Sequence, residues 1–196
     1  MERRILSAFR AYGADPRVGA AARALSWAGE HGAMWIAAGL AGAAVDGARR
    51  GAWLRGTALT AAAHAVSMGV KRVVRRPRPA HVDPLVRTAG RHSFPSSHAT
   101  SAAAAAVAFG TLGAYGVSRG HFPAGARPGH LARAIDLAPV TNAARATRLL
   151  PPLAVAVCLS RLVVGVHYPS DVAAGAALGA LTARLGARWM RGGTHG

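Results

Sequence analysis

The chain has 196 residues, of which 52% are hydrophobic and only 16% are charged, against about 25% charged residues in soluble domains. Lysine and arginine number 24 against 7 acidic residues, giving a formal net charge of +17. This length leaves room for one domain or for a bundle of about five membrane helices, and the single cysteine, Cys158, excludes an intrachain disulfide.

The apolar runs, taken in chain order, predict one interfacial segment and five membrane helices. Residues 1–31 mix arginines with Leu, Phe and Trp, which predicts an amphipathic segment at the membrane surface. A transmembrane domain follows over residues 32–190. Its candidate spans are Gly32–Val45, Ala52–Val70, Ala99–Val117, Leu149–Val166 and Val172–Leu185, and the connection between the third and fourth predicts a surface helix over His130–Ala138.

The positive charge alone would suit a nucleic-acid-binding protein. The arginines, however, bracket the apolar runs, which favours helix ends at anionic lipid headgroups. With five spans, the end of the second, the start of the third, the end of the fourth and the start of the fifth lie at one membrane face. We therefore expect three polar clusters, which are distant in sequence, to meet at one mouth of the bundle.

The first polar cluster follows the second span. Lys71, the only lysine of the chain, precedes Arg78 by seven residues. Several fixed cations are what phosphate recognition requires, so the pair predicts phosphate binding, with a basic stop-transfer cluster as the alternative. The other arginines of this stretch are interpreted as contacts to lipid headgroups rather than to a second phosphate: Arg72, Arg75 and Arg76.

The second polar cluster opens the third span. Ser96 or Ser97 is expected to cap this helix, whose free N–H groups and dipole attract phosphate. His98 then lies in the first turn, where it can give a proton to a leaving oxygen. An ordinary capped helix with an incidental histidine is the alternative.

The third polar cluster lies where the fourth span meets the fifth. Arg161 is a charge inside an apolar run and is therefore a candidate functional residue. His167 and Asp171 are four residues apart, and an Asp that fixes one imidazole nitrogen leaves the other as a neutral nucleophile. A histidine at the membrane edge beside a helix-capping aspartate is the alternative.

In order and spacing, these three clusters resemble the signature of the type 2 phosphatidic acid phosphatase superfamily. That signature reads Lys-x6-Arg-Pro, Pro-Ser-Gly-His and Ser-Arg-x5-His-x3-Asp, and the resemblance covers roughly residues 50–185. One position departs from it, since Ser97 stands where the family usually has glycine. Members commonly have six spans, so the expected fold is an all-α integral-membrane bundle of five to six spans with an N-terminal interfacial helix and a histidine phosphatase site at one membrane face.

The resemblance implies a role for each matching residue. His167 would attack phosphorus, Asp171 would orient it, and His98 would act as general acid and then as general base. The residues expected to hold the phosphate oxygens are Lys71, Arg78, Arg161, Ser96 and the backbone N–H of Ser97. No metal ligand and no cofactor is implied.

A lipid phosphatase of the bacterial plasma membrane is therefore the predicted function, with membrane lipids as surroundings and no nucleic acid as partner. A polyprenyl substrate such as decaprenylphosphoryl-5-phosphoribose is favoured, while polyprenyl diphosphate, phosphatidic acid and phosphatidylglycerophosphate remain open. The alternatives are a soluble acid phosphatase or vanadate-dependent haloperoxidase, and a non-enzymatic basic membrane or nucleic-acid-binding protein. The membrane side of the site and the oligomeric state are left open.

Overall fold

A computed structural model describes residues 1–88, 90–118 and 147–191 of the chain, and its regular structure is helical. The α-helices of these ranges are α1 (Glu2–Tyr12), α2 (Pro16–Ala28), α3 (Ala33–Val45), α4 (Arg50–Val74), α5 (Ser97–Ser118), α6 (Leu150–Val163) and α7 (Pro169–Arg191). Short 3-10 turns, Glu30–Gly32 and Gly47–Arg49, precede α3 and α4. In the same ranges β-pairing is limited to one isolated bridge between Pro77 and His92.

Each of the five predicted spans corresponds to one helix from α3 to α7, so the predicted helical fold is confirmed. Among the described residues, no helix combines the length and the mean hydropathy expected of a membrane span. The number of spans therefore stays a prediction. The predicted surface helix His130–Ala138 lies outside the described residues.

Local sequence explains where several helices begin. Asp15 caps α2 by accepting hydrogen bonds from the backbone N–H groups of Arg17 (2.8 Å) and Val18 (3.1 Å), and Pro16 occupies the first helical position. Ser96 precedes α5, and its Oγ accepts a bond from the N–H of Ala99 at 3.4 Å, as the predicted cap requires. Proline also opens α7, so the chain breaks between α6 and α7 and leaves His167 in a short connection.

The central helix of the bundle is α5, which packs against α4, α6 and α7. Its buried face consists mainly of alanine together with Phe109 and Leu112. The ring centroid of Phe109 lies 5.2 Å from that of Trp53 on α4. Two glycines of α7, Gly175 and Gly179, lie directly against the backbone of α5, where a Cβ atom would meet a carbonyl oxygen. These small residues allow the two helices to approach closely.

The N-terminal segment is helical and packs on the bundle. Helix α1 contacts α6 and α7, and α2 contacts α6. Leu6 of α1 is fully buried, and Ala22 and Ser26 of α2 are 5% exposed. The segment therefore reaches the end of the bundle at which α4 and α6 end and α5 and α7 begin. Its predicted position at a membrane surface remains a prediction.

Candidate active site

The convergence of helix ends encloses a cavity of about 300 Å³, a size typical of small-molecule sites. Six of the eight predicted site residues line this cavity: Lys71, Arg78, Ser97, His98, Arg161 and His167. They come from α4, α5, α6 and two connections, so the predicted meeting of the three clusters is found at one place. The remaining two, Ser96 and Asp171, are fully buried and lie behind the cavity wall.

Lys71 is held in a fixed position near the end of α4. It is 8% exposed, and its Nζ donates hydrogen bonds to the carbonyl oxygens of Pro95 at 2.7 Å and Ser93 at 3.4 Å. The loop before α5 is itself fixed, because the N–H of Ser93 donates to the carbonyl of Arg76 at 2.8 Å. An ammonium group with main-chain acceptors on one side keeps donor capacity for an anion in the cavity.

Arg78 lies beside the nucleophile candidate. Its Nε donates to the carbonyl of Gly90 at 2.8 Å, and one terminal nitrogen donates to the carbonyl of Val166 at 2.9 Å. The same terminal nitrogen is 3.4 Å from Nε2 of His167. Two main-chain carbonyls thus orient the guanidinium group so that one edge faces the His167 ring.

Arg161 and His98 are both held by one residue of α2. The Oγ of Ser26 accepts a hydrogen bond from a terminal nitrogen of Arg161, and the carbonyl oxygen of Ser26 accepts one from Nε2 of His98 at 3.0 Å. Arg161 is only 3% exposed, and its Nε makes no hydrogen bond within the described residues. A buried guanidinium group in a cavity wall is suited to an anionic ligand.

His167 is 1% exposed, and its two ring nitrogens have different surroundings. Nδ1 is 3.8 Å from Oδ2 of Asp171, which is an ion-pair distance too long for a direct hydrogen bond. Burial lowers the pKa of His167, and the nearby cations reinforce the lowering, while Asp171 opposes it. The imidazole is therefore neutral at pH 7. With its proton on Nδ1 towards Asp171, Nε2 directs its lone pair to the side of Arg78, whose terminal nitrogen donates to it at 3.4 Å.

Asp171 is fixed on both of its carboxylate oxygens. Oδ2 accepts a hydrogen bond from the backbone N–H of Tyr168 at 2.8 Å, and Oδ1 accepts one from Arg76 at 2.9 Å. The backbone carbonyl of Asp171 in turn accepts from the N–H of Ser96 at 2.9 Å, which ties the start of α7 to the start of α5. Ser96 therefore serves this junction and the cap of α5, and its side chain does not line the cavity.

Three residues with contacts at the site are absent from the sequence-based prediction. Ser26 and Glu2 lie in the N-terminal segment, whose composition indicates only an amphipathic helix. The interpretation of Arg76 as a headgroup contact is wrong, because its guanidinium group bonds to Asp171, Ser170 and Glu2. The charges of Glu2 and Arg76 and the hydroxyl of Ser26 are visible in the sequence, but no local pattern indicates which partner each one meets.

The chain is similar to several known proteins. Residues 52–194 match the PAP2 superfamily. A protein of Mycolicibacterium smegmatis named decaprenylphosphoryl-5-phosphoribose phosphatase is 43% identical over 82% of this chain and 72% of its own length. A Mycobacterium tuberculosis protein of the same name is 41% identical over 84% of this chain and 76% of its own length.

The fold also has a counterpart among solved structures. A transmembrane PAP2-type phosphatidylglycerolphosphate phosphatase from Bacillus subtilis superimposes with a TM-score of 0.53. The two chains share 19% sequence identity, and the match covers 97% of this chain and 94% of the other. At this identity the likeness concerns the fold alone.

Proposed function

Because this chain belongs to the PAP2 superfamily, we propose that it removes the terminal phosphate of a lipid-linked substrate through a covalent phosphohistidine on His167. One observation carries the proposal: His167, a buried and neutral histidine, lines a cavity whose wall also includes Lys71, Arg78 and Arg161. Three fixed cations around one nucleophile can stabilise the negative charge on the oxygens of a phosphoryl group during its transfer. The family and its relatives offer no support for a non-enzymatic or nucleic-acid-binding protein.

In the first step, the lone pair of Nε2 forms a bond to phosphorus while the bond from phosphorus to the lipid-side oxygen breaks. His98 gives a proton to that departing oxygen. The carbonyl of Ser26 accepts the Nε2–H, so the transferred proton is a second one on Nδ1, and His98 enters this step as an imidazolium ion. Burial lowers the pKa of His98 to about 3, and we propose that the negative charge of the bound phosphate raises it. The ring of His167 becomes positively charged as it accepts the phosphoryl group, and Asp171 stabilises that charge.

In the second step, water attacks phosphorus and His98, now without the transferred proton, takes a proton from that water. The bond between phosphorus and Nε2 breaks, inorganic phosphate leaves, and His167 returns to its neutral form. Lys71, Arg78 and Arg161 remain in place through both steps, so little reorganisation is needed. The backbone N–H of Ser97, at the start of α5, is proposed to donate to a phosphate oxygen.

Decaprenylphosphoryl-5-phosphoribose is the substrate we favour. The relatives of that name cover most of this chain, and the cavity has features that suit it. Four exposed arginines stand on its walls in addition to the three buried cations: Arg23, Arg72, Arg87 and Arg91. This substrate has a phosphomonoester on ribose, which would bind to the three buried cations. A second phosphate joins ribose to the lipid and would bind to the exposed arginines.

Apolar residues also line the cavity and suit a polyprenyl chain. Trp27, Met68 and Val86 all belong to its wall, and Trp27 is 79% exposed. We propose that the protein is a multi-pass protein of the bacterial plasma membrane, as the apolar runs predict, and that the lipid tail leaves the cavity past these residues.

Phosphate release by detergent-purified protein over a panel of lipid phosphates tests the function. We expect His167→Ala to abolish turnover and the phosphohistidine, whereas His81→Ala, which alters an exposed histidine outside the cavity, retains both. We expect EDTA to leave turnover unchanged, because Lys71, Arg78 and Arg161 supply the positive charge at the site. Full activity of His167→Ala would overturn the proposed function.

Arginine variants at the cavity wall test the substrate. We expect Arg91→Gln to raise KM for decaprenylphosphoryl-5-phosphoribose by roughly threefold to tenfold, since it weakens binding of the second phosphate. KM for phosphatidic acid, which has only one phosphate, should change little. Arg50→Gln, at an exposed arginine away from the cavity, is the matched control. Equal effects on both substrates would contradict a second phosphate site.

A further inference from the structure

Arg76 is not part of the phosphatase signature, yet its guanidinium group contacts Asp171, the acidic partner of His167. One terminal nitrogen donates to Oδ1 of Asp171 at 2.9 Å and to Oγ of Ser170 at 2.6 Å. The other donates to Oε2 of Glu2 at 2.8 Å. Its guanidinium carbon lies 4.2 Å from the ring centroid of Tyr168, a cation–π distance.

These contacts place Arg76 behind the nucleophile and outside the cavity. Asp171 separates the guanidinium group from His167, and Arg76 does not line the cavity. Arg76 therefore has no direct path to substrate in this arrangement. Its influence on the reaction has to pass through Asp171.

Glu2 fixes the far side of Arg76. Its Oε1 accepts a hydrogen bond from the backbone N–H of Ser170 at 3.0 Å, in the first turn of α7, while Oε2 accepts from Arg76. A carboxylate at a helix N-terminus is favourably placed. These hydrogen bonds, with Ser170 first and Arg76 next, lower the pKa of Glu2 to about 2, so it is ionised at neutral pH.

We propose that Arg76 is a positioning residue for His167, acting through Asp171, and that Glu2 of α1 anchors it. The proposal rests on the proposed phosphohistidine mechanism. Asp171 is fully buried, so its Oδ1 needs a partner to stay ionised and in place. Without Arg76 the carboxylate turns or takes up a proton, and in both cases it ceases to direct the Nδ1 proton of His167.

The sequence offers a close control, because Arg75 is the neighbouring arginine. Its Nε donates to the carbonyl of Arg72 at 2.8 Å, it is exposed, and it does not line the cavity. Arg75→Met and Arg76→Met remove the same charge one residue apart. A general effect of lost positive charge would affect both variants, whereas loss of positioning affects only Arg76→Met.

Steady-state kinetics with the full chain in detergent separate positioning from binding. We expect Arg76→Met to lower kcat roughly 10- to 100-fold, a range typical of removing a partner that orients a functional ligand. KM should change less than twofold, since the cavity wall is intact. Arg75→Met should retain wild-type kcat. A kcat of Arg76→Met equal to that of Arg75→Met would overturn the proposal.

Chemical rescue and a double variant distinguish a loss of positioning from a loss of activity that is caused by poor folding. Guanidinium ion added to Arg76→Ala should restore a substantial part of kcat, because it refills the space between Glu2 and Asp171. Glu2→Gln should lower kcat in the wild type but have no further effect in Arg76→Met. Absence of rescue in protein with wild-type thermal stability, or fully additive effects, would overturn the proposal. Retained activity of His167→Ala would instead overturn the mechanism beneath it.

Discussion

Lys71 shows how one side chain is selected by its surroundings. The single lysine among 24 basic residues stands where two main-chain carbonyls, of Ser93 and Pro95, leave room for a compact ammonium group. An ammonium group donates in three directions from one point, whereas a guanidinium group is planar and larger. Charge alone therefore does not explain why this residue is a lysine; the small size and the geometry of the ammonium group also matter.

We expect Lys71→Arg to lower kcat/KM by roughly 10- to 100-fold although it keeps the charge, because the hydrogen bonds to the carbonyls cannot all be remade. The measurement is phosphate release at limiting substrate. Arg50→Lys makes the reverse exchange at an exposed position away from the cavity and should retain wild-type activity. An active Lys71→Arg would show that only the charge matters.

The types of residue and their spacing along the chain were sufficient to predict which side chains meet at the site. Lys71, Arg78, His98, Arg161 and His167 line one cavity, as the threading of the helices predicts. The partners that hold them were not predictable. Main-chain carbonyls carry no sequence signal, and the hydroxyl of Ser26 is 135 residues away from its partner Arg161.

At the level of elements, the contact between α5 and α7 fixes the relative position of two proposed catalytic residues. His98 lies in the first turn of α5 and Asp171 in the first turn of α7, so any separation of these helices moves the two apart. Gly179 is one of the positions where the backbones touch, opposite the carbonyl of Thr100. A side chain there has no space without displacement of a helix.

We expect Gly179→Ala to lower the free energy of unfolding by about 1–3 kcal/mol through overpacking, and to lower activity with it. Thermal unfolding in detergent measures the first effect. Gly110→Ala on α5 is the matched control, since no neighbouring atom lies within 4 Å of the added Cβ. Alanine in place of that glycine should be neutral or stabilise the helix by up to about 1 kcal/mol. Similar losses in both variants would contradict this account.

Helices α3 to α7 could be predicted from apolar runs, because such runs end at charged or proline-containing stretches. The structure extends α4 to Val74, past the predicted end at Val70, since the basic residues there continue the helix before Pro77. The packing of α1 and α2 was beyond prediction. Their amphipathic pattern suits a membrane surface or a protein surface equally well, and only tertiary contacts with α6 and α7 distinguish the two.

At the level of the whole molecule, the first helix is joined to the start of the last described helix beside the site. Glu2 of the first helix bonds to Ser170 at the start of the last helix and to Arg76 after α4. The PAP2 match begins at residue 52, so this connection lies partly outside the family region. The N-terminal helices therefore contribute contacts to the proposed active site.

The Glu2 contacts should make folding stability depend on pH. The pKa of Glu2 is lowered from 4.5 to about 2 by its bonds to Ser170 and Arg76. The stabilisation is thus complete above the unfolded-state pKa and declines as pH falls towards 2. We expect Glu2→Gln to lower the Tm more at pH 7 than at pH 3. Arg4→Gln, an exposed change in the same helix, should show no such difference. A Glu2→Gln effect that is equal at both pH values would contradict the assignment.

The positions of the four tryptophans allow ligand binding in the cavity to be measured by intrinsic fluorescence. Trp35 and Trp53 are buried, and Trp189 is half exposed and away from the cavity, whereas Trp27 is the indole on the cavity wall. A polyprenyl tail passing Trp27 would replace water around that ring and shift its emission to shorter wavelength. An inactive enzyme such as His167→Ala would therefore report ligand entry through intrinsic fluorescence, with Trp27→Phe as the silent reference.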